Sequence, residues 1–237
     1  MRIDTVLFDM DNTLYDELTY VESGFRAAAE LLYLRLGVGA AECFALMRAA
    51  FDQHGRGRVF DYTLEQLGVR DARFVLDLVD CYRAHRPAIH FYSDVTPCLN
   101  ELRRSGMKLG VITDGIASVQ RVKVEALGLT KLVDVVVYTD DFGKEFWKPH
   151  TLPFRHALAK VGSLADRTVY VGDDETRDFK GGNELGMTTI RITRKPTSRP
   201  IKAVAAEFRA KYQIGTLAEI TSLLRAIPPL PAGGVRR

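Results

Sequence analysis

Short apolar runs rich in β-branched and aromatic residues alternate with longer stretches of helical period along most of this chain. One long helical block interrupts the alternation near its start. The first run, Thr5 to Phe8, is too short for a helix and reads as a buried strand. From about Asp16 to His90 no convincing strand pattern exists. Tyr20 to Leu36 places Phe25, Ala28, Ala29, Leu32 and Leu36 at helical spacings, and Gly37 supplies a stop. Ala40 to Phe51, Tyr62 to Leu67 and Asp71 to His85 are three further amphipathic segments. A helix-only insert of this size between two strands predicts a small bundle of its own.

The strand–helix alternation resumes at Ser93. A helix is expected over Asp94 to Ser105, with Ser93 or Asp94 at its N-cap and Gly106 at its end. Strand Lys108 to Thr113, helix Ile116 to Leu127, strand Val133 to Tyr138, helix Thr151 to Val161 and strand Thr168 to Val171 follow. Helix Asp178 to Leu185 and strand Thr188 to Ile192 complete the series. Strands separated by helices imply an α/β fold, a Rossmann-like parallel sheet of about five strands with helices on both faces. Ile201 to Ile227 reads as two helices around a strand-like Tyr212-Gln213-Ile214, and 228–237, rich in proline and glycine, as a disordered tail. The expected organisation is a core from 1–15 and 91–227, with an all-helical domain at 16–90.

Composition narrows the class. A chain of 237 residues with 46% hydrophobic and 27% charged residues is ordinary for a globular protein with a sizeable core. The net charge of +3 is too small to argue for nucleic acid. A local basic cluster, Arg191, Arg194, Lys195, Arg199, Lys202, Arg209 and Lys211, has only Phe208 interleaved and reads as a solvated face. Cys43, Cys81 and Cys98 are widely spaced without a C-x-x-C pair, which suggests reduced thiols and a cytoplasmic location. Arg2 and Asp4 lead directly into the first strand and leave no room for a signal peptide. No apolar run is long enough to span a bilayer, so neither a membrane nor a nucleic acid is expected as partner.

The chemistry lies just after the predicted strands, where open α/β sheets bind ligands. Asp9 and Asp11 follow the first strand, and two carboxylates there repel each other unless a cation or a proton lies between them. Thr113-Asp114-Gly115 follows the second, Lys148-Pro149 closes the loop after the third, and Gly172-Asp173-Asp174 with Asp178 follows the fourth. The inventory is a nucleophile, a hydroxyl beside backbone N–H groups, a lysine and a second acidic cluster, as phosphoryl transfer through an aspartyl-phosphate requires. Asp9 is the expected nucleophile, and Asp11 the acid and base that serves the leaving oxygen and the attacking water. Thr113 with the N–H groups of Asp114 and Gly115 suits an anion, and Lys148 supplies a point charge. A divalent cation would screen the approach of a phosphate dianion to Asp9, and Mg2+ suits a site of few carboxylates.

At these positions the chain resembles the haloacid dehalogenase superfamily of hydrolases. Asp9-Met10-Asp11-Asn12-Thr13 is similar to its first motif, Thr113 to its second, Lys148 to its third, and Gly172-Asp173 through Asp178 to its fourth, from about Ile3 to Ile192. The insert is similar to the helical cap that the superfamily places after its first motif. The resemblance implies a backbone carbonyl of Asp11 on the metal beside Asp9 and Asp173. Asp174 and Asp178 then serve as outer partners, with the division of labour among the three acids left open. An acid at Asp11 implies phosphate-ester cleavage, since the dehalogenases lack one there. The implied substrate is a small phosphorylated metabolite, a sugar phosphate or a nucleoside monophosphate, handled by a monomer or homodimer. A phosphomutase keeps the same four motifs, and a catalytically idle binding module on this fold is the reading from another class. In the helical insert, His54-Gly55-Arg56-Gly57-Arg58 reads either as a substrate-selecting loop carrying Arg56 and Arg58 or as an exposed connection.

Overall fold

The computed structural model describes residues 3–194 and 203–227. The chain divides into two compact units. One is formed by the chain up to Asp16 together with that from His90 onward, the other by Glu17–Ile89.

The first unit is built on a parallel sheet. Its strands are β1 (Thr5–Phe8), β2 (Lys108–Thr113), β3 (Val135–Tyr138), β4 (Thr168–Gly172), β5 (Thr188–Ile192) and β6 (Tyr212–Ile214), in the order β3-β2-β1-β4-β5-β6. β1 lies inside the sheet, with Thr5 paired to Lys108 on one side and to Thr168 on the other. Val6, Leu7 and Phe8 are all fully buried. Because successive side chains leave a strand on opposite faces, both faces of the sheet are covered. On one face Leu7, Ile112, Val137 and Tyr170 pack with Phe154, Ala157 and Leu158 and with Phe179. The helices of this unit are α5 (Val95–Arg104), α6 (Ala117–Ala126), α7 (Leu152–Val161), α8 (Lys180–Leu185) and α9 (Ile220–Ala226).

Four expectations change here. The sheet has six strands and not about five, because the strand-like Tyr212–Ile214 joins it by pairing with Ile190 to Ile192. Of the two helices expected near it, only α9 forms among the described residues. Ala206–Phe208 is a single 3-10 turn, and the Asn183 side chain takes the carbonyls of Glu207 and Arg209 that a longer helix would have used. Asp94 stands at the N-cap of α5 without capping it. Its Oδ2 instead accepts from Arg194 Nη1 at 2.6 Å, Thr216 Oγ1 at 2.6 Å and the Leu217 N–H at 2.8 Å. The basic cluster is therefore not a uniform solvated face: Arg194 is paired inward, and Arg191 bonds Glu175 at 3.0 Å. Lys195, Arg199, Lys202 and the tail 228–237 lie outside the described residues.

The second unit is all helical, with α1 (Glu17–Leu36), α2 (Ala40–His54), α3 (Val59–Gln66) and α4 (Ala72–Ala84). Val21, Phe25, Ala28 and Leu32 of α1 form one stripe and meet Cys43 and Met47, Phe60 and Leu64, and Phe74 and Leu78 from the other three helices. Asp71 caps α4 by accepting from the N–H groups of Arg73 and Phe74. No helix among the described residues is long and apolar enough to cross a membrane, and all three cysteines are free.

Candidate active site

Asp9 leaves the end of β1 with its N–H bonded to the Val171 carbonyl at 2.8 Å. Beyond it the chain reverses. Asn12 takes a left-handed φ of 60°, which asparagine tolerates better than most residues, and the N–H of Leu14 returns to the Met10 carbonyl at 2.9 Å. The reversal brings Thr13 back to the strand end, where its Oγ1 donates to Asp9 Oδ2 at 3.3 Å. Arg194 holds the same turn from behind, donating to the Thr13 carbonyl from Nε at 3.2 Å and Nη2 at 2.7 Å.

The other oxygen of Asp9 faces Lys148, whose Nζ lies 2.5 Å from Asp9 Oδ1, 2.7 Å from Asp178 Oδ1 and 3.1 Å from Tyr170 Oη. The ammonium has no exposed surface. Burial opposes its charge, yet Asp178 and Asp9 hold its pKa well above the ordinary lysine value. The loop bearing it is tied to the end of β2: Asp114 Oδ1 accepts from the Lys148 N–H at 3.1 Å and from Thr139 Oγ1 at 2.8 Å.

Asp178 is fully buried, and its Oδ2 accepts from the N–H groups of Asp173 and Asp174 at 3.1 and 2.9 Å. This turn needs a glycine before it, since a Cβ on Gly172 would stand 2.5 Å from Asp178 Oδ2. The hydrogen bonds of Asp178 also explain why α8 begins at Lys180 and not at Asp178 as its sequence pattern suggests. Asp173 does not cap that helix. Its Oδ1 is buried without a hydrogen-bond partner.

Asp9, Asp173 and Asp178 each offer a carboxylate oxygen, all within 4.8 Å of one another. Burial, opposed by Lys148 and reinforced by Asp178, raises the Asp9 pKa to about 7. Burial followed by the charges of Asp178 and Asp9 raises Asp173 to about 9. An orphaned carboxylate oxygen beside two others is the donor set of a hard divalent cation, which would return both groups to their anionic forms. Asp174 stands outside this cluster. It accepts from the Thr176 N–H at 2.9 Å and Thr176 Oγ1 at 2.7 Å and pairs with Arg177 at 3.3 Å.

Asp11 faces α6 instead. Its carboxylate accepts from Lys123 Nζ at 2.9 and 3.1 Å, from Gln120 Nε2 at 3.0 Å and from the Tyr15 hydroxyl. Burial would raise its pKa, but the Lys123 charge and these hydrogen bonds pull it below the ordinary carboxylate value. The resting geometry thus holds Asp11 in its base form. Gln120 Nε2 also lies 2.5 Å from Thr113 Oγ1. Gly115, at φ 118°, leaves room for that side chain, for its Cβ would approach Gln120 Cδ to 3.3 Å.

The strand ends therefore bring together Asp9, Asp11, Thr113, Asp114, Lys148, Asp173 and Asp178. Arg56 and Arg58 belong to the helical unit and find partners inside it, Glu17 at 2.7 Å for Arg56 and Glu65 at 3.4 Å for Arg58, which also lies over the Tyr62 ring. Sequence reasoning missed Tyr15, Gln120, Lys123, Tyr170 and Arg177. Gln120 and Lys123 are three apart on a helix that starts just after Thr113, and that spacing was the available signal. Arg177 lies in the field of Asp178, Asp9 and Asp114. Burial would lower its pKa, but these carboxylates keep it raised and charged.

Comparison with known proteins gives a consistent picture. Residues 6–192 match the family model described as haloacid dehalogenase-like hydrolase. The chain is 31% identical over 228 residues to the glyceraldehyde 3-phosphate phosphatase of Methanocaldococcus jannaschii, covering 94% of this chain and 97% of that protein. It is also 31% identical over 237 residues to the ribulose-1,5-bisphosphate 5-phosphatase of Halopiger xanaduensis, covering 92% and 98%. Among solved structures, a HAD phosphatase from Thermococcus onnurineus superposes with a TM-score of 0.61 at 26% identity, over 94% of this chain and 98% of that one.

Proposed function

The chain belongs to the haloacid dehalogenase-like hydrolases, and from that premise we propose that it is a magnesium-dependent phosphatase of small sugar phosphates, working through a phosphoryl group carried on Asp9. One observation carries the reading: a buried carboxylate at the end of the central strand, held by Lys148 and clustered with Asp173 and Asp178.

Asp9 Oδ2, held by Thr13, is the oxygen that attacks phosphorus. As the new O–P bond forms, the bond from phosphorus to the ester oxygen breaks and the electron pair leaves with that oxygen. Lys148 balances charge on Asp9 and on the transferred group, and the hydroxyl of Thr113 donates to a phosphoryl oxygen. The approach of a phosphate dianion opposes the negative charge of Asp11, so the carboxylate takes up a proton from solvent as substrate binds and then gives it to the departing oxygen. As a carboxylate it then takes a proton from the water that attacks phosphorus, releasing phosphate and restoring Asp9. A bound Mg2+ would be held by Asp9, Asp173 and Asp178 and would supply charge neutralisation. The substrate class rests on the relatives, whose names specify a triose phosphate and a pentose bisphosphate.

The test is phosphate release from a panel of sugar phosphates and para-nitrophenyl phosphate, with magnesium and with excess chelator, for wild type and Asp9→Asn. Turnover should require the metal and vanish in the variant. Retention of more than a small fraction of the rate by a folded Asp9→Asn, or no phosphate release by metal-loaded wild type, would overturn the proposal.

A further inference from the structure

Gln120 is 2% exposed and sits one helical turn into α6. Its amide meets Asp11 Oδ2 at 3.0 Å and Thr113 Oγ1 at 2.5 Å, so a single group touches both the turn after β1 and the end of β2. The orientation of the amide follows from chemistry. Asp11, surrounded by the Lys123 ammonium and a tyrosine hydroxyl, is a carboxylate and can only accept. The amide nitrogen must therefore face it, and the same nitrogen then faces Thr113.

We propose that Gln120 is a positioning residue that fixes the Thr113 hydroxyl as a hydrogen-bond donor to the phosphoryl group, using Asp11 as its anchor. A threonine hydroxyl has one hydrogen and two lone pairs and rotates to suit its neighbours. One Gln120 N–H occupies a lone pair of Thr113, so the hydroxyl hydrogen points away from α6 and is left for an oxygen at the strand ends. The second N–H, bound to Asp11, keeps the amide from turning. Asp11 is anchored in turn by Lys123, which is itself buried. Donors aimed in advance at the transferred group cost no reorganisation during the reaction. The inference rests on the phosphatase reading and adds a residue to it.

The experiment is a double-mutant cycle on sugar-phosphate turnover between Gln120→Met and Thr113→Val, with Asp9→Asn alongside. Methionine keeps the length of glutamine and removes both donors. Gln120→Glu, which keeps the size but has no N–H to donate, runs in parallel in case the methionine variant does not fold. Thermal unfolding serves as the fold control. Losing a hydrogen bond to a charged group predicts a fall in kcat of roughly ten- to a hundredfold with KM within about threefold. In the Thr113→Val background the same change should cost under about threefold, because the group through which Gln120 acts is already gone. An undiminished loss in that background, or a loss in KM alone, overturns the inference. If Asp9→Asn stays active the phosphatase mechanism itself fails; if only the cycle is additive, that mechanism stands and the role of Gln120 falls.

Discussion

Without a bound cation the protein should lose stability as the pH rises from 5 to 8, and magnesium should abolish that slope. Asp9 carries a pKa of about 7 against an ordinary value of 3.8, and Asp173 one of about 9. Both are raised on folding, first by burial and then by neighbouring carboxylates, so the native state keeps protons that the unfolded chain releases. Stability is then complete below about pH 4, falls as the pH passes that value, and stops falling only above 7 for Asp9 and above 9 for Asp173. The rise at Asp9 is roughly three pH units, or ~4 kcal/mol at about 1.36 kcal/mol per unit. Asp173 shares the same repulsion, so that scale applies once and not twice. In a chain of this size each kcal/mol moves the melting temperature by roughly 2–4 °C, which makes the expected drop on the order of 10 °C.

The assay is thermal unfolding at a series of pH values in chelator and in saturating magnesium, for wild type and Asp173→Asn. Magnesium should raise the melting temperature far more at pH 8 than at pH 5. The neutral amide in Asp173→Asn should remove the part of the chelator slope that continues above pH 7 and leave the part below it that belongs to Asp9. A chelator curve that is flat for wild type, or a magnesium effect equal at both pH values, would refute the reasoning that three crowded carboxylates dominate this end of the sheet.

Two further changes probe the same cluster. Lys148→Met removes the only cation within hydrogen-bond distance of both Asp9 and Asp178 among the described residues. It should abolish turnover and cost about 3–5 kcal/mol in denaturant unfolding, the usual penalty for stranding buried charge. Gly172→Ala should push Asp178 off the N–H groups of Asp173 and Asp174, weakening apparent magnesium affinity in an activity titration and lowering the melting temperature.

The parallel sheet was legible because each buried strand is a short, nearly continuous apolar run bounded by turn residues, and because β1 ends on acids that no hydrophobic core would accept. The lone strand β6 was harder to place. With three residues and one buried position, Ile214, it carries too little pattern to announce its partner. Asp9, Lys148 and Asp173 could be named from order alone, since each follows an apolar run. Gln120 and Lys123 were harder to name, because their three-residue spacing after Thr113 is also that of ordinary polar positions of an amphipathic helix. Their partner in the site, Asp11, lies more than a hundred positions earlier in the chain. The same holds for Asp94, where helix-cap chemistry competed with Arg194, Thr216 and the Leu217 N–H and lost three bonds to none.

The central place of β1 has a consequence for how the enzyme comes into being. β1 leaves the ribosome long before the strands it pairs with, which begin at Lys108 and Thr168. At about 5–20 residues per second, on the order of ten seconds or more pass before the second of them exists. During that interval all of Glu17–Ile89 is synthesised, while four residues destined for complete burial have no edge to pair with. An apolar strand left waiting is a template for wrong pairing. The nucleophile at its end also acquires its charge partners late, first Lys148 and then Asp173 and Asp178. The growing chain therefore carries Asp9 long before it can assemble a working centre.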